Sequence, residues 1–381
     1  MFDKPLDRKD NHSIKFNTFD ETLLPMWIAD MDFEVPSCIK TALVDRLAQA
    51  DLGYTKSWPE LDQSIVNWCQ SQYDWNIQAS WIIWLPGIIS GFNMACQGFN
   101  KGKVVVQTPN YPPMLQAPKH SQQEVLELPI SFNESTNRWM FDFDELETLL
   151  SDEKCGLFLL CNPMNPQGTI LNEQELKRIT ELCEQYDVQL CSDEIHCDLR
   201  YELAHFPAGK IHSKSITLMA ASKTFNIAGL GCSFAIIEDE QVRRHFFAQM
   251  NGLVSFPSNL GLVATHSAFA NGNQWRLALL QYLKINRDTL VSALNNFKIQ
   301  GECIFKTHLN DACFLCWIDC TALESITKQS AIDWFTSAGI MPSNGVDFGK
   351  TGFVRINFGC PLATIEQALT LISQKVSQYA L

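Results

Sequence analysis

Residues 157–196 constrain the fold more than any other stretch of the chain. The run "LFLLC" (157–161) leads into "NPMNPQG", then "LNEQELKRITELCEQYD", then "VQLCSDEIH". In the third piece Leu176, Ile179, Leu182, Cys183 and Tyr186 recur at helical spacing, which predicts a helix with one buried face. Asn172, followed three residues later by Glu175, has the form of a capping box at its start. The apolar runs on either side are short and bounded by turn residues, so they read as strands. Strand, helix and strand in this order imply a parallel sheet.

The same alternation places strands near 81–85, 103–107 and 215–220. The tail differs: "DACFLCWIDC" and "TGFVRINFG" read as strands of a smaller mixed sheet, and "ATIEQALTLISQKVSQYAL" as a closing helix. A chain of 381 residues without an obvious linker is too long for one small core, so two closely associated domains are expected. The fold class is therefore α/β, with a mostly parallel central sheet flanked by helices in a large domain and a smaller α+β C-terminal domain. No internal repeat or low-complexity segment interrupts this organisation.

A net charge of −13 argues against nucleic acid or an anionic membrane as the main partner. The charged start "MFDKPLDRKDN" lacks the apolar core of a signal peptide. No apolar run reaches the ~18 residues of a membrane span; "WIIWLPGIISGF" is broken by Pro86 and Gly87. The 14 cysteines are scattered through apolar segments, as reduced core residues of a cytoplasmic protein would be. Cys313 and Cys316 form a CxxC, but residues three apart on a strand face opposite sides, so no metal site is expected.

Polar residues fall at the ends of the expected strands. "KVVVQ" ends near Asn110 and Tyr111, "LFLLC" near Asn162 and Asn165, "VQLCS" at Asp193 and "ITLMAAS" at Lys223. In open parallel sheets ligands bind outside the carboxyl ends of the strands. A ring, an amide, a carboxylate and an amine are thus delivered to one edge. "WIIWL" runs into "PGIISGF", a tight turn and a helix start that leaves the amides of Ile88 and Ile89 free for a phosphate. Taken singly, each residue has an ordinary reading. Lys223 could sit on the surface, Asp193 and Asn165 could serve turns, and Tyr111 could simply pack. The "GLG" at 229–231 is no dinucleotide fingerprint, because it does not open a strand–helix turn. Together, however, the set suits pyridoxal 5'-phosphate. That cofactor needs an amine for its Schiff base and an anion to keep its ring nitrogen protonated, which Lys223 and Asp193 would supply. A partly desolvated lysine also has a lowered pKa, which favours the neutral nucleophile.

The order "PGIISG … PNYPP … NPMNPQG … SDEIH … SKTFNIAGL … VRINFG" resembles the class I/II aminotransferase superfamily over nearly the whole chain. Within it, "MWIADMDFEVP" (26–36) and "SDEIHCDL" (192–199) resemble the cystathionine β-lyase-like C–S lyase branch. The resemblance implies an aspartate-aminotransferase-like fold. Residues 1–45 would join the small domain, 46–275 would form the large cofactor-binding domain and 276–381 the small one. It implies that Lys223 carries the cofactor and then acts as general acid and base, and that Asp193 pairs with the ring nitrogen. Asn165 would bond the ring hydroxyl and Tyr111 would stack on the ring. Ile88 and Ile89 would give amides to the phosphate and Ser222 a hydroxyl. Arg355 would hold the substrate carboxylate as a bidentate pair. Tyr54 would reach the phosphate of a neighbouring subunit, which implies a homodimer with shared sites.

The chain departs from many relatives at Gly231, eight residues after Lys223, where they carry a phosphate-neutralising arginine. It also has His196 where ordinary aminotransferases tend to carry tyrosine. A histidine there could donate a hydrogen bond to the cofactor, pack passively or touch substrate. The implied activity is α,β-elimination of a thiol from L-cystathionine or a related cysteine S-conjugate. Amino-group transfer is the alternative, and a regulatory protein that holds the cofactor without turnover is a third reading.

Overall fold

A computed structural model describes residues 2–379. Its centre is an eight-stranded sheet. In chain order the strands are β1 (Ile82–Leu85), β2 (Lys103–Thr108), β3 (Glu124–Asn133), β4 (Arg138–Phe141), β5 (Cys155–Cys161), β6 (Gln189–Asp193), β7 (Ile216–Met219) and β8 (Ser233–Ile236). Their order across the sheet is β1-β8-β7-β6-β5-β2-β3-β4. Strands β3, β2, β5, β6 and β7 run parallel. Strand β8 is antiparallel to both β7 and β1, which turns β1 back into the direction of the parallel set. All five strands expected to feed the site therefore end on one edge.

The local chemistry explains the elements. Every residue of β5, "CGLFLLC", is buried, as a parallel strand covered on both faces requires. Helix Glu173–Gln185 starts with the full capping box, Asn172 Oδ1 accepting from the Glu175 amide at 2.9 Å. Its Leu176, Ile179, Leu182 and Cys183 are buried against the sheet, each large side chain contributing about 1.5–3 kcal/mol. On the other face lies helix Ile88–Gly98. A Cβ on its Gly91 would come within 2.9 Å of Leu218 Cδ2 and 3.1 Å of Leu85 Cδ1. Glycine there lets the helix settle close against β1 and β7.

A second sheet of four strands holds the C-terminal part: β9 (Lys306–Thr307), β10 (Leu315–Asp319), β11 (Ser343–Asn344) and β12 (Phe353–Asn357), in the order β9-β10-β12-β11 and antiparallel throughout. Its core is aromatic, with Trp334, Phe335, Phe314 and Phe358 all fully buried. Helices Asn273–Leu294 and Leu362–Ser377 cover it. Leu24–Pro25 pairs in parallel with Ile340–Met341, and Phe2, Met26, Met31 and Phe33 enter the same core.

Four details differ from the sequence-based expectation. The antiparallel β8 and the β3–β4 hairpin were not anticipated. Strand β7 stops at Met219, so Ala220 to Ser222 already lie in the turn that carries Lys223. Cys313 precedes β10 in a left-handed conformation, φ +65°, instead of lying on a strand. Each thiol of the CxxC has its own neighbour: Asn310 Nδ2 lies 3.5 Å from Cys313 Sγ, and Thr307 Oγ1 lies 3.2 Å from Cys316 Sγ. Among the described residues no helix is long and apolar enough to cross a membrane.

Candidate active site

Strands β1, β2, β5, β6 and β7 all end on one edge, which carries the candidate residues of the large sheet. Asp193 is the last residue of β6 and only 4% exposed. The one hydrogen bond to its carboxylate among the described residues comes from the Ile195 amide, 3.1 Å from Oδ1. Burial pushes the carboxyl up to about 7 and the Glu194 charge adds to this, against the pull of that amide and of Lys223.

Lys223 follows β7 and is half-buried. Its ammonium donates to the Ala29 carbonyl at 2.7 Å. Burial lowers its pKa to about 8, with the Asp30 and Asp193 charges opposing and Arg355 assisting. Ser222, also half-buried, precedes it.

Arg355 lies in the middle of β12 and is buried. Nη1 donates to Asn165 Oδ1 at 2.9 Å, and Nη2 to the Trp27 carbonyl at 2.9 Å and to Ser343 Oγ at 3.2 Å. The Phe348 ring stacks on the guanidinium at 4.6 Å. Burial pulls its pKa down to about 10, which leaves it cationic at neutral pH.

The loop after β5 brings Asn165 to this arginine, and the Gly168 carbonyl pins that loop by accepting from the Asp311 and Ala312 amides, each at 3.0 Å. Tyr111 caps helix Pro112–His120 and is half-buried; burial raises its phenol, with Asp193 adding and Arg355 opposing. Ile88 and Ile89 are the first two residues of their helix, after Gly87, as expected.

His196 is buried in the turn after β6, its Nδ1 without a partner among the described residues and its ring edge-on to Phe314 at 6.2 Å. Burial, then Lys223 and Arg355, drive its pKa down to about 3, so the ring is neutral. Tyr54 stands apart, fully exposed in the loop before helix Pro59–Tyr73. Gly231 is left-handed, φ +56°, and a Cβ there would approach the Pro86 carbonyl at 3.2 Å.

The sequence reading missed the strap that closes this edge. Residues 26–33 cross between the two sheets and hydrogen-bond to both sides. Asn226 Oδ1 accepts from the Met31 amide at 3.1 Å, while its Nδ2 donates to the Met31 and Phe33 carbonyls, both at 2.9 Å. Asn357 Nδ2 donates to the carbonyls of Ile28 at 2.6 Å and Asp30 at 2.8 Å. The available signal was an asparagine inside an apolar strand, "VRINFG", because a buried amide must find partners.

The Aminotransferase class I and II family matches residues 22–372. This chain belongs to the class I/II aminotransferase family. Within the family it falls in the cystathionine β-lyase-like C–S lyase branch. It is 33% identical to cystathionine beta-lyase PatB of Bacillus subtilis over 99% of this chain and 100% of that one. Among solved structures, OvoB superposes with a TM-score of 0.93 at 35% identity, covering 99% of both chains. Cystalysin from Treponema denticola superposes with a TM-score of 0.92 at 27% identity over 99% of both chains, and that structure contains pyridoxal 5'-phosphate.

Proposed function

We propose that the chain is a pyridoxal 5'-phosphate-dependent carbon–sulfur lyase that splits L-cystathionine or a related cysteine S-conjugate into pyruvate, ammonia and a thiol. The observation that carries this reading is the meeting of Lys223 and Asp193, at the carboxyl edge of the large sheet, with Arg355 from β12 of the second sheet.

The residues at that edge fit the cofactor. Asp193 is a buried anion with a single backbone donor, and a protonated ring nitrogen would neutralise it. The helix N-terminus at Ile88 and Ile89 suits a phosphate, and the Ser222 hydroxyl is assigned to the same group. Asn165 and His196 are assigned to the ring hydroxyl, and Tyr111 to the ring face. Tyr54 is assigned to the phosphate of a second protomer, which makes the active form a homodimer.

When bound, the cofactor condenses with an amine and withdraws electrons from the adjacent carbon. The protein's own groups do the rest. Arg355 holds the substrate α-carboxylate with paired N–H donors, and Phe348 shields one face of its guanidinium from water. Lys223, its pKa near 8, has an appreciable neutral fraction at neutral pH and takes the Cα proton. Asp193 keeps a proton on the ring nitrogen. Lys223 then returns its proton to the sulfur that leaves Cβ. Addition of one water balances the reaction to thiol, pyruvate and ammonium.

The family's own description favours one alternative, amino-group transfer. It shares the loss of the Cα proton and differs in where that proton returns. Cystathionine given to the purified, cofactor-loaded protein separates the two. Pyruvate and thiol released without any 2-keto acid support the lyase. Turnover that requires a keto acid supports transfer, and binding without turnover on a broad amino-acid panel supports a regulatory role.

A further inference from the structure

Beyond Asp193 and Arg355, Lys223 faces a third charged side chain. Its ammonium is held by the carbonyl of Ala29 on the strap, and the next residue is Asp30. Of the charges that act on Lys223, Asp30 acts most strongly, ahead of Arg355 and Asp193. Asp30 is itself held: Arg8 Nη2 reaches Asp30 Oδ2 at 2.5 Å. Arg8 Nη1 donates to the Met31 carbonyl at 3.0 Å and lies 3.1 Å from Asp32 Oδ1. Asp32 Oδ2 accepts from Lys15 Nζ at 2.7 Å, and Lys15 also donates to the Asp30 carbonyl at 3.1 Å.

Two acids from the strap and two bases from the N-terminal segment thus form one network. Lys15 and Asp32 are its buried end; Asp30, with its side chain 27% exposed, is the most open member. The mechanism above uses none of the four. The outermost acid of this network is next in sequence to the carbonyl that receives the Lys223 amine.

We propose that Asp30, held and partly neutralised by Arg8, is a positioning residue that sets the charge state and place of the Lys223 amine. The strap fixes where the amine rests through the Ala29 carbonyl. The Asp30–Arg8 pair fixes how much negative charge the amine meets there. The other groups facing Lys223 are Asp193 from β6, Arg355 from β12 and His196 from the turn after β6, the last neutral.

This rests on Lys223 being the cofactor lysine. Its test is the pH dependence of pyridoxal phosphate capture by the full-length, cofactor-free protein, followed by the cofactor's absorbance, because only the neutral amine attacks the aldehyde. In the parent the capture rate should rise through pH about 8. Asp30→Asn removes an anion that favours the ammonium, so the midpoint should fall by roughly 0.5 pH unit, making capture at pH 7 about two- to threefold faster. Arg8→Met unmasks Asp30, so the midpoint should rise, whereas Arg8→Lys should stay near the parent.

Opposite shifts for Asp30→Asn and Arg8→Met support the proposal. Uniform slowing with an unmoved midpoint, or shifts in the same direction, overturns it. If Arg8→Met does not fold, as circular dichroism would report, Asp30→Asn alone decides: a lower midpoint supports the proposal and an unchanged or higher one overturns it. Capture needs no substrate, so failure of the lyase reading appears separately, as absence of pyruvate.

Discussion

Replacing Asp193 by Asn should stabilise the cofactor-free protein at neutral pH while crippling it as a cofactor protein. The carboxylate is buried with one backbone donor, and its pKa rises from 3.8 to about 7. An acid whose folded pKa lies above its unfolded value keeps its proton longer in the folded state. Folding therefore loses stability as pH rises from about 4 to about 7 and is flat above that. At 1.36 kcal/mol per pH unit, the cost of burying Asp193 is on the order of 4 kcal/mol at pH 8, where the folded carboxyl is ionised, and about 2 kcal/mol at pH 5, where it must hold a proton that the unfolded chain has lost. The Asn variant carries no such term. Urea unfolding of both cofactor-free proteins at pH 5 and pH 8 should therefore show the variant gaining on the parent by about 2–3 kcal/mol across that interval. Comparing across pH cancels any pH-independent packing change caused by the amide. Adding pyridoxal phosphate should reverse the order, because the parent alone regains a cation for its carboxylate. A parent–variant difference that is equal at both pH values would refute the view of Asp193 as a counter-ion awaiting its partner.

Three further outcomes follow from the geometry. Arg355→Lys keeps the charge but cannot span Asn165, Trp27 and Ser343 together; losing charge-assisted bonds of roughly 1.5–3 kcal/mol should cut kcat/KM about 10- to 150-fold. Most of that loss should be in KM, and a change confined to kcat in steady-state kinetics would contradict it. His196 is neutral down to about pH 3, so His196→Asn should leave the acid limb of the kcat/KM profile where it was, even if the rate falls. Trp334→Ala empties a fully buried site against Phe305 and Phe335 and should cost about 3–5 kcal/mol, read as a lowered denaturant midpoint.

What could be read from the chain was what short-range chemistry dictates. The apolar run of β5, the helix with its Asn172–Glu175 capping box and the acid at the end of β6 all lie in one stretch of sequence, and the structure has them where that stretch implied. The meeting of β1 and β7 at the same edge was legible only in part. It depends on β8, a short strand whose antiparallel pairing on both sides reverses direction twice, and four residues carry no mark of direction. The strap left one local signal, Asn357 inside an apolar strand. Arg8 meets Asp30 across 22 residues, and Asn226 meets Met31 across 195; each side chain alone looks like an ordinary surface or turn residue. Resemblance drew attention to "ADMDF", but its place between Lys223 and the N-terminal charges is a property of the tertiary structure.

The account stands or falls on the bond between the cofactor and one amine. Borohydride reduction of the protein loaded with pyridoxal phosphate, followed by proteolysis and mass spectrometry of the peptides, measures it directly. The prediction is one stable cofactor adduct per chain, on Lys223. An adduct on a different lysine, or none on a protein that otherwise binds the cofactor, would contradict it.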